Sequence, residues 1–177
     1  MHIAIITGSN RAGAASTRVS QYLMKLIEEK GHQVSFIDLY ERRLPLYSPD
    51  DTELHAEVAA MSEAVLEADA IVLSTPEYHG SVSGVLKNAL DYLGFDHFDG
   101  KAVLSVSAAG GPVGVSSLQH LQTIVRNVHG INCPEWISVG GAQREFAENG
   151  EPAGQDVRLR VTRTLNYFLE MAAKLQG

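Results

Sequence analysis

The first twenty-seven residues constrain the fold more than any other stretch. Ile3-Ala4-Ile5-Ile6 is a short apolar run, partly β-branched, and reads as a buried strand. A turn of small residues, hydroxyls and two arginines follows over 7–18, and then Val19, Tyr22, Leu23, Leu26 and Ile27 fall at helical spacing. A turn between a strand's carboxyl end and a helix's amino end aims backbone N–H groups and the positive end of the helix dipole at one point. Hydroxyls and arginines there add charge-assisted hydrogen bonds, so the segment predicts a phosphate-bearing ligand. It contains neither Gly-x-x-x-x-Gly-Lys-Ser/Thr nor Gly-x-Gly-x-x-Gly, which argues against a nucleoside triphosphate loop and the usual dinucleotide fingerprint. Separate hydroxyl donors suit a terminal phosphate monoester. The plainer alternative is an ordinary connection in which Ser16 is the helix N-cap.

Strand and helix patterns then alternate. Strands are expected at 33–38, 69–74 and 102–107, with a fifth containing 136–139. Helices are expected over 53–67, with Val58, Met61, Val65 and Leu66 on one side, and over 84–93, 116–128 and 155–174. Five strands interleaved with five helices imply an α/β fold, a parallel sheet covered on both faces. A length of 177 residues suits one domain spanning 1–177. The segment 39–49 reads as a loop, and 140–154, polar and glycine-containing, as a loop near the sheet edge.

Composition narrows the function classes. A formal charge of −7 argues against nucleic acid as a partner. No apolar run approaches the ~20 residues of a membrane helix, and no signal-peptide pattern opens the chain, so neither a membrane partner nor export is expected. The single cysteine, Cys133, excludes an internal disulfide, fits a reducing, cytoplasmic setting, and reads as a small packing residue. The seven histidines (2, 32, 55, 79, 97, 120 and 129) show no ligand spacing, and no metal is expected.

In a parallel sheet of this kind, ligands bind outside the carboxyl ends of the strands. After the third strand comes Thr75-Pro76-Glu77-Tyr78-His79-Gly80-Ser81, a mixture of proline, aromatic and glycine suited to reading the edge of a flat heteroaromatic ring. Glu77 is either a base or, more simply, a local cap. After the fourth strand, Ala108-Ala109-Gly110-Gly111-Pro112-Val113-Gly114 leaves the backbone free to approach a ligand, again at a helix amino end. In the helix between, Lys87 and Asp91 stand four residues apart and can pair, and Leu86, Leu90 and Leu93 imply either deep burial or a subunit interface.

Together, Gly8-Ser9-x-Arg11, Ser16-x-Arg18, Pro76-Glu77-Tyr78-His79-Gly80, Lys87-Asn88-Ala89-Leu90-Asp91 and Gly110-Gly111 resemble the NAD(P)H-dependent FMN reductase family, over essentially the whole chain. The nearest likeness is to its small bacterial azobenzene and quinone reductases. The resemblance implies a flavodoxin-like three-layer sandwich with strand order 2-1-3-4-5 and non-covalent FMN. It implies a phosphate cradle of Ser9, Arg11, Ser16, Thr17 and Arg18. It also implies a ring site lined by Pro76, Glu77, Tyr78, His79 and Gly80, with Ala109, Gly110 and Gly111 on the pyrimidine side. Many members carry Asn where this chain has His79. The family's habit further implies a homodimer or homotetramer built on the helix after the third strand.

The activity so implied is FMN-dependent oxidation of NADPH, with NADH as a second donor. Hydride passes in ping-pong fashion through flavin N5 to a flavin, quinone or azo acceptor. No side chain is nominated as catalytic. Arg11, Arg42 and Arg43 are the candidate cations for a 2′-phosphate, with a solvated surface pair as the equal alternative for Arg42-Arg43. Two other readings remain: a flavodoxin-type electron carrier without its own NAD(P)H site, and a flavin-free phosphate-binding domain.

Overall fold

The computed structural model describes residues 1–53 and 55–177. Its strands are β1 (His2–Thr7), β2 (Gln33–Asp38), β3 (Ala70–Pro76), β4 (Ala102–Ala109), β5 (Ile131–Asn132) and β6 (Ile137–Gly140). Its helices are α1 (Ala15–Glu29), α2 (Ala56–Glu67), α3 (Gly84–Asp91), α4 (Phe95–Phe98), α5 (Val115–Asn127) and α6 (Gln155–Leu175). All pairings in the sheet are parallel, in the order β2-β1-β3-β4, with β5 and β6 both on the outer edge of β4. This is the flavodoxin-like order expected from the resemblance.

Two cores flank the sheet because successive side chains of a strand point to opposite faces. Ile3, Ile5, Val72, Leu104 and Val106 pack beneath α1 and α6, against Val19, Leu23, Ile27, Val161, Leu165 and Phe168. Ala4, Ile6, Ile71, Leu73 and Val103 pack on the other face against α2, α3 and α5. Each large side chain so buried contributes about 1.5–3 kcal/mol. The strands read as unbroken apolar runs because both faces are covered. Cys133 lies buried in the first core, and burial pushes its thiol pKa up, as suits a packing residue.

Several expectations require correction. The fifth strand is two short pieces: Cys133, Pro134, Glu135 and Trp136 stand against only Leu104 and Ser105 of β4, and Pro134 has no N–H to offer the ladder. Trp136 therefore lies outside the strand, which resumes at Ile137. Among the described residues there are six α-helices rather than five, the extra one being α4, whose single turn is anchored by the buried Phe98. The expected start of the second helix at Glu53 runs through residue 54, which lies outside the described residues; α2 begins at Ala56. Val58, Met61 and Val65 are buried as expected, but Leu66 falls off that stripe and is exposed. Leu86, Ala89, Leu90 and Leu93 are all buried within the chain, which accounts for the many-sided apolar pattern of α3. Lys87 and Asp91 do pair on its exposed side, Nζ to Oδ1 2.6 Å.

The segment 140–154 folds as a 3-10 turn over Gly141–Arg144 followed by a small hairpin in which Phe146 bridges Pro152. Basic side chains tie it down. The Arg18 guanidinium lies 4.4 Å from the centre of the Phe146 ring, Lys25 pairs with Glu151, and Arg158 donates to the carbonyls of Pro152 and Ala153.

Candidate functional site

Three helix amino termini, those of α1, α3 and α5, meet the carboxyl ends of β1, β3 and β4. Each leaves backbone N–H groups without a preceding carbonyl to bind. At α3, Ser83 caps the helix: its Oγ accepts from Leu86 N (3.1 Å) and donates to Gly8 O, while its own N–H donates to Thr75 Oγ1 (3.0 Å). At α5 the N-cap is Gly114, which has no side chain to offer, and Glu77 serves from the neighbouring loop. Its Oε2 accepts from both Ser117 N and Ser117 Oγ, each at 2.9 Å. Glu77 is thus a cap rather than a base in this structure, but not the local one expected: Ser83 caps the helix that follows its loop, and the Glu77 carboxylate faces the α5 dipole instead.

The end of α1 is different. Its N-cap is Ala14, so Ser16 is not the cap considered from sequence but lies within the first turn, and that turn contains no acidic residue. The first helical bond runs from Arg18 N to Ala14 O (2.9 Å), which leaves the N–H groups of Ala15, Ser16 and Thr17 ahead of it. Ser16 Oγ and Thr17 Oγ1 are buried and bind nothing, two of five such atoms among the described residues. Buried hydroxyls without partners cost roughly 1–3 kcal/mol each, a cost that a ligand rich in acceptors relieves. Three N–H groups and two idle hydroxyls around an acid-free helix end suit a phosphate monoester.

The cradle opens into a cleft of about 610 Å³. Among the expected site residues, Arg11, Ser16, Pro76, Glu77, Tyr78 and Gly110 line it. Ser9 and Thr17 are buried next to lining residues and are not themselves among them. The Ser9 hydroxyl accepts from Arg11 N (3.1 Å) and shapes the turn, and Ser74 Oγ reaches Ser16 O (3.2 Å) to tie β3 to α1. Arg18 points to Phe146. Ala109 is buried at the end of β4, and Gly111 lies against Gly140, where a Cβ would collide with the Gly111 and Pro112 carbonyls.

His79 and Gly80 form the tip of a two-residue hairpin closed by Tyr78 N to Ser81 O (3.1 Å) and Ser81 N to Tyr78 O (3.0 Å). Both have positive φ, 51° and 72°, the type I′ pattern. Histidine is among the few side chains that tolerate this region, and Asn before Gly is its commonest occupant. The departure from Asn at this position is therefore met as a backbone requirement, and the exposed His79 ring does not line the cleft.

Sequence reasoning missed Gly141, Arg144 and Glu145, which form the far wall. The rule that ligands sit at strand carboxyl ends pointed there, since these residues follow β6, but the segment lacks the proline, aromatic and hydroxyl signals of the other loops. The fully buried polar side chains among the described residues are all serine or threonine, and Ser16 is the one among them that lines this cleft.

An acid-free, open helix end on a flavodoxin-like sheet, beside a proline-aromatic hairpin, is the layout of the flavodoxin-like class of α/β proteins. The comparisons agree: the family model for NADPH-dependent FMN reductase matches residues 1–144, and the chain belongs to that family. An FMN-dependent NADPH-azoreductase of Staphylococcus saprophyticus is 38% identical over 153 residues, 82% of this chain and 80% of the relative. Its counterpart in Staphylococcus haemolyticus is 34% identical over 151 residues, with the same shares of the two chains covered. Among solved structures, the flavoenzyme NAD(P)H:(acceptor) oxidoreductase FerB of Paracoccus denitrificans superimposes with a TM-score of 0.82 at 21% identity, over 98% of this chain and 97% of the other. An archaeal flavodoxin gives 0.66 at 13% identity over the full length of both chains, evidence for the fold alone. No helix among the described residues is long and apolar enough to cross a membrane.

Proposed function

We propose that this chain is an FMN-dependent NAD(P)H oxidoreductase that works in two half-reactions and passes its electrons to a flavin, quinone or azo acceptor. The observation that carries this reading is the open amino end of α1, with the idle Ser16 and Thr17 hydroxyls beside a cleft large enough for a nucleotide. The residues present fit FMN. Ser16, Thr17, the first-turn N–H groups and Arg11 would hold its phosphate, with Ser9 shaping the turn and Arg18 bracing it from behind. Pro76, Glu77, Tyr78, His79 and Gly80 would form one edge of the ring site, largely through backbone, and Ala109, Gly110 and Gly111 the other. Bound FMN supplies reversible hydride chemistry at N5, while the chain binds, orients and shields. Glu77 contributes by fixing the hairpin to α5, and no side chain is assigned as nucleophile or base. A single domain over 1–177, assembling as a homodimer or homotetramer, belongs to the same reading.

A flavodoxin-type carrier is not favoured, since the family and the curated relatives are named as reductases. The deciding experiment is the visible spectrum of the protein with FMN before and after anaerobic NADPH. A yellow complex that bleaches promptly is the expected result. One that neither NADPH nor NADH bleaches would restore the carrier, and a protein that binds no flavin would overturn the reading.

A further inference from the structure

The sequence offered Arg11, Arg42 and Arg43 as cations for a 2′-phosphate, and the structure redistributes these roles. Arg42 pairs with Glu57 (3.6 Å), and Arg43 lines a separate depression with Asn10, Leu39 and Tyr40. Arg11 lines the cleft on the α1 side, and a second arginine, Arg144, lines it on the far side. We propose that Arg144 binds the adenosine 2′-phosphate of NADPH and so sets the preference for NADPH over NADH. This rests on the reading above that the cleft receives a nicotinamide nucleotide.

Three observations carry it. First, Arg144 forms no ion pair among the described residues, and its one hydrogen bond there runs from Nε to the carbonyl of Gly141 (3.3 Å). The terminal N–H groups are thereby left for a ligand, and a guanidinium presents them as the planar fork that fits a phosphate.

Second, the turn that carries Arg144 is rigidly built. Gly140 packs so tightly on the Gly111 and Pro112 carbonyls that no Cβ fits, and Gly141 takes a positive φ of 51°. Arg160 donates to Ser138 O in β6 (2.8 Å) and to Gln143 Oε1 in the turn (3.0 Å), holding the turn to the strand it follows. The backbone that presents the exposed Arg144 is thus set before an anion arrives, so only the side chain has to be ordered on binding.

Third, the turn leaves the sheet at β6, three strands along from β1 in the order β1-β3-β4-β6. Arg144 and the amino end of α1 therefore rise from different strands onto one shared cleft, and the nucleotide pair below tells apart the phosphate each would hold. Glu145 is the neighbouring acid in the cleft and opposes any anion there.

The test uses FMN-loaded protein titrated calorimetrically with adenosine 2′,5′-bisphosphate and with AMP, which differ only in the 2′-phosphate. The native chain should prefer the bisphosphate by about tenfold to a hundredfold. Arg144→Gln should bring that ratio close to one, Arg144→Lys should keep part of it, and Glu145→Gln should raise it. The ratio of KM values for NADPH and NADH should follow the same order. The proposal is overturned if the native chain shows no preference, if Arg144→Gln keeps it, or if only Arg11→Gln removes it. Equal weakening of both nucleotides by Arg144→Gln would also overturn it, since the residue would then read the 5′-phosphate. Flavin uptake, followed in the visible spectrum, is a separate readout. A protein without flavin would refute the reading of the cleft as an FMN site, while the two nucleotides would still report on Arg144.

Discussion

The amino ends of α1 and α5 stand at the same edge of one sheet, yet they are finished in opposite ways. At α5 a carboxylate from another loop, Glu77, already occupies the positive end and satisfies Ser117 twice over. At α1 there is no acid in the first turn, and two buried hydroxyls have nothing to bind. The difference is the one the proposed FMN site requires: several helix ends attract anions, and the protein would direct a ligand to the one without its own. An end that carries its own anion contributes to stability; an end left open at a local cost becomes a site.

Filling or emptying these ends should separate the two roles. The largest effect is expected from Ser16→Ala combined with Thr17→Val. FMN affinity should fall by about a hundredfold or more, from the loss of two hydrogen bonds to a charged group. The flavin-free protein should be no less stable, because two idle buried hydroxyls are gone; flavin titration and denaturant unfolding read the two quantities. A cradle that binds FMN undiminished would dissolve the contrast.

Next comes Glu77→Ala, which strips α5 of its cap. Unfolding in denaturant should show a loss of about 1–2 kcal/mol. Destabilisation well below that would mean that Glu77 contributes little to α5.

The smallest effect concerns a third kind of finish, a titratable one. At α4 the N–H of Gly94 donates to His97 Nδ1 (3.0 Å), and His97 Nε2 meets Ser62 Oγ (2.7 Å). Burial, chiefly, holds the His97 pKa below its ordinary value near 6.5. The unfolded chain therefore takes up this proton at higher pH than the folded chain. Stability should be full well above pH 6.5 and decline as pH falls through it, because the partly buried imidazole must then carry a charge. His97→Asn keeps an acceptor and cannot titrate, so the decline in its unfolding free energy between pH 7 and 5 should be shallower. Parallel pH curves for the two proteins would refute this assignment.

Much of the architecture was legible because long buried strands and amphipathic helices carry strong periods. β1 to β4 and α1, α3, α5 and α6 fall close to where those periods place them. What escaped was short or decided by partners far away. α4 has one turn and no period to read, and β5 has two residues. The interruption around Pro134 is visible only once β4 lies beside it. Within the site, the hydroxyl-rich turn and the Pro76–Gly80 stretch announce themselves in composition. That Glu77 belongs to α5 follows from a contact forty positions along the chain. Arg144 likewise gains meaning only because β6 brings its turn across to the Gly111 loop. Residues that make their own loop can be read locally; residues that complete another element's loop cannot.

The loops at the carboxyl ends of the strands have one more property. The fully buried polar side chains beneath them are hydroxyls, among them Ser74, Thr75, Ser107 and Ser117. A hydroxyl gives or accepts a hydrogen bond according to how it is turned about its C–O bond. Here each is already turned: Ser74 donates to Ser16 O, Thr75 to Pro76 O and Ser117 to Glu77 Oε2, while Ser107 meets Ser117. Elements from separate parts of the chain are thus stitched together by short side chains that carry no charge of their own.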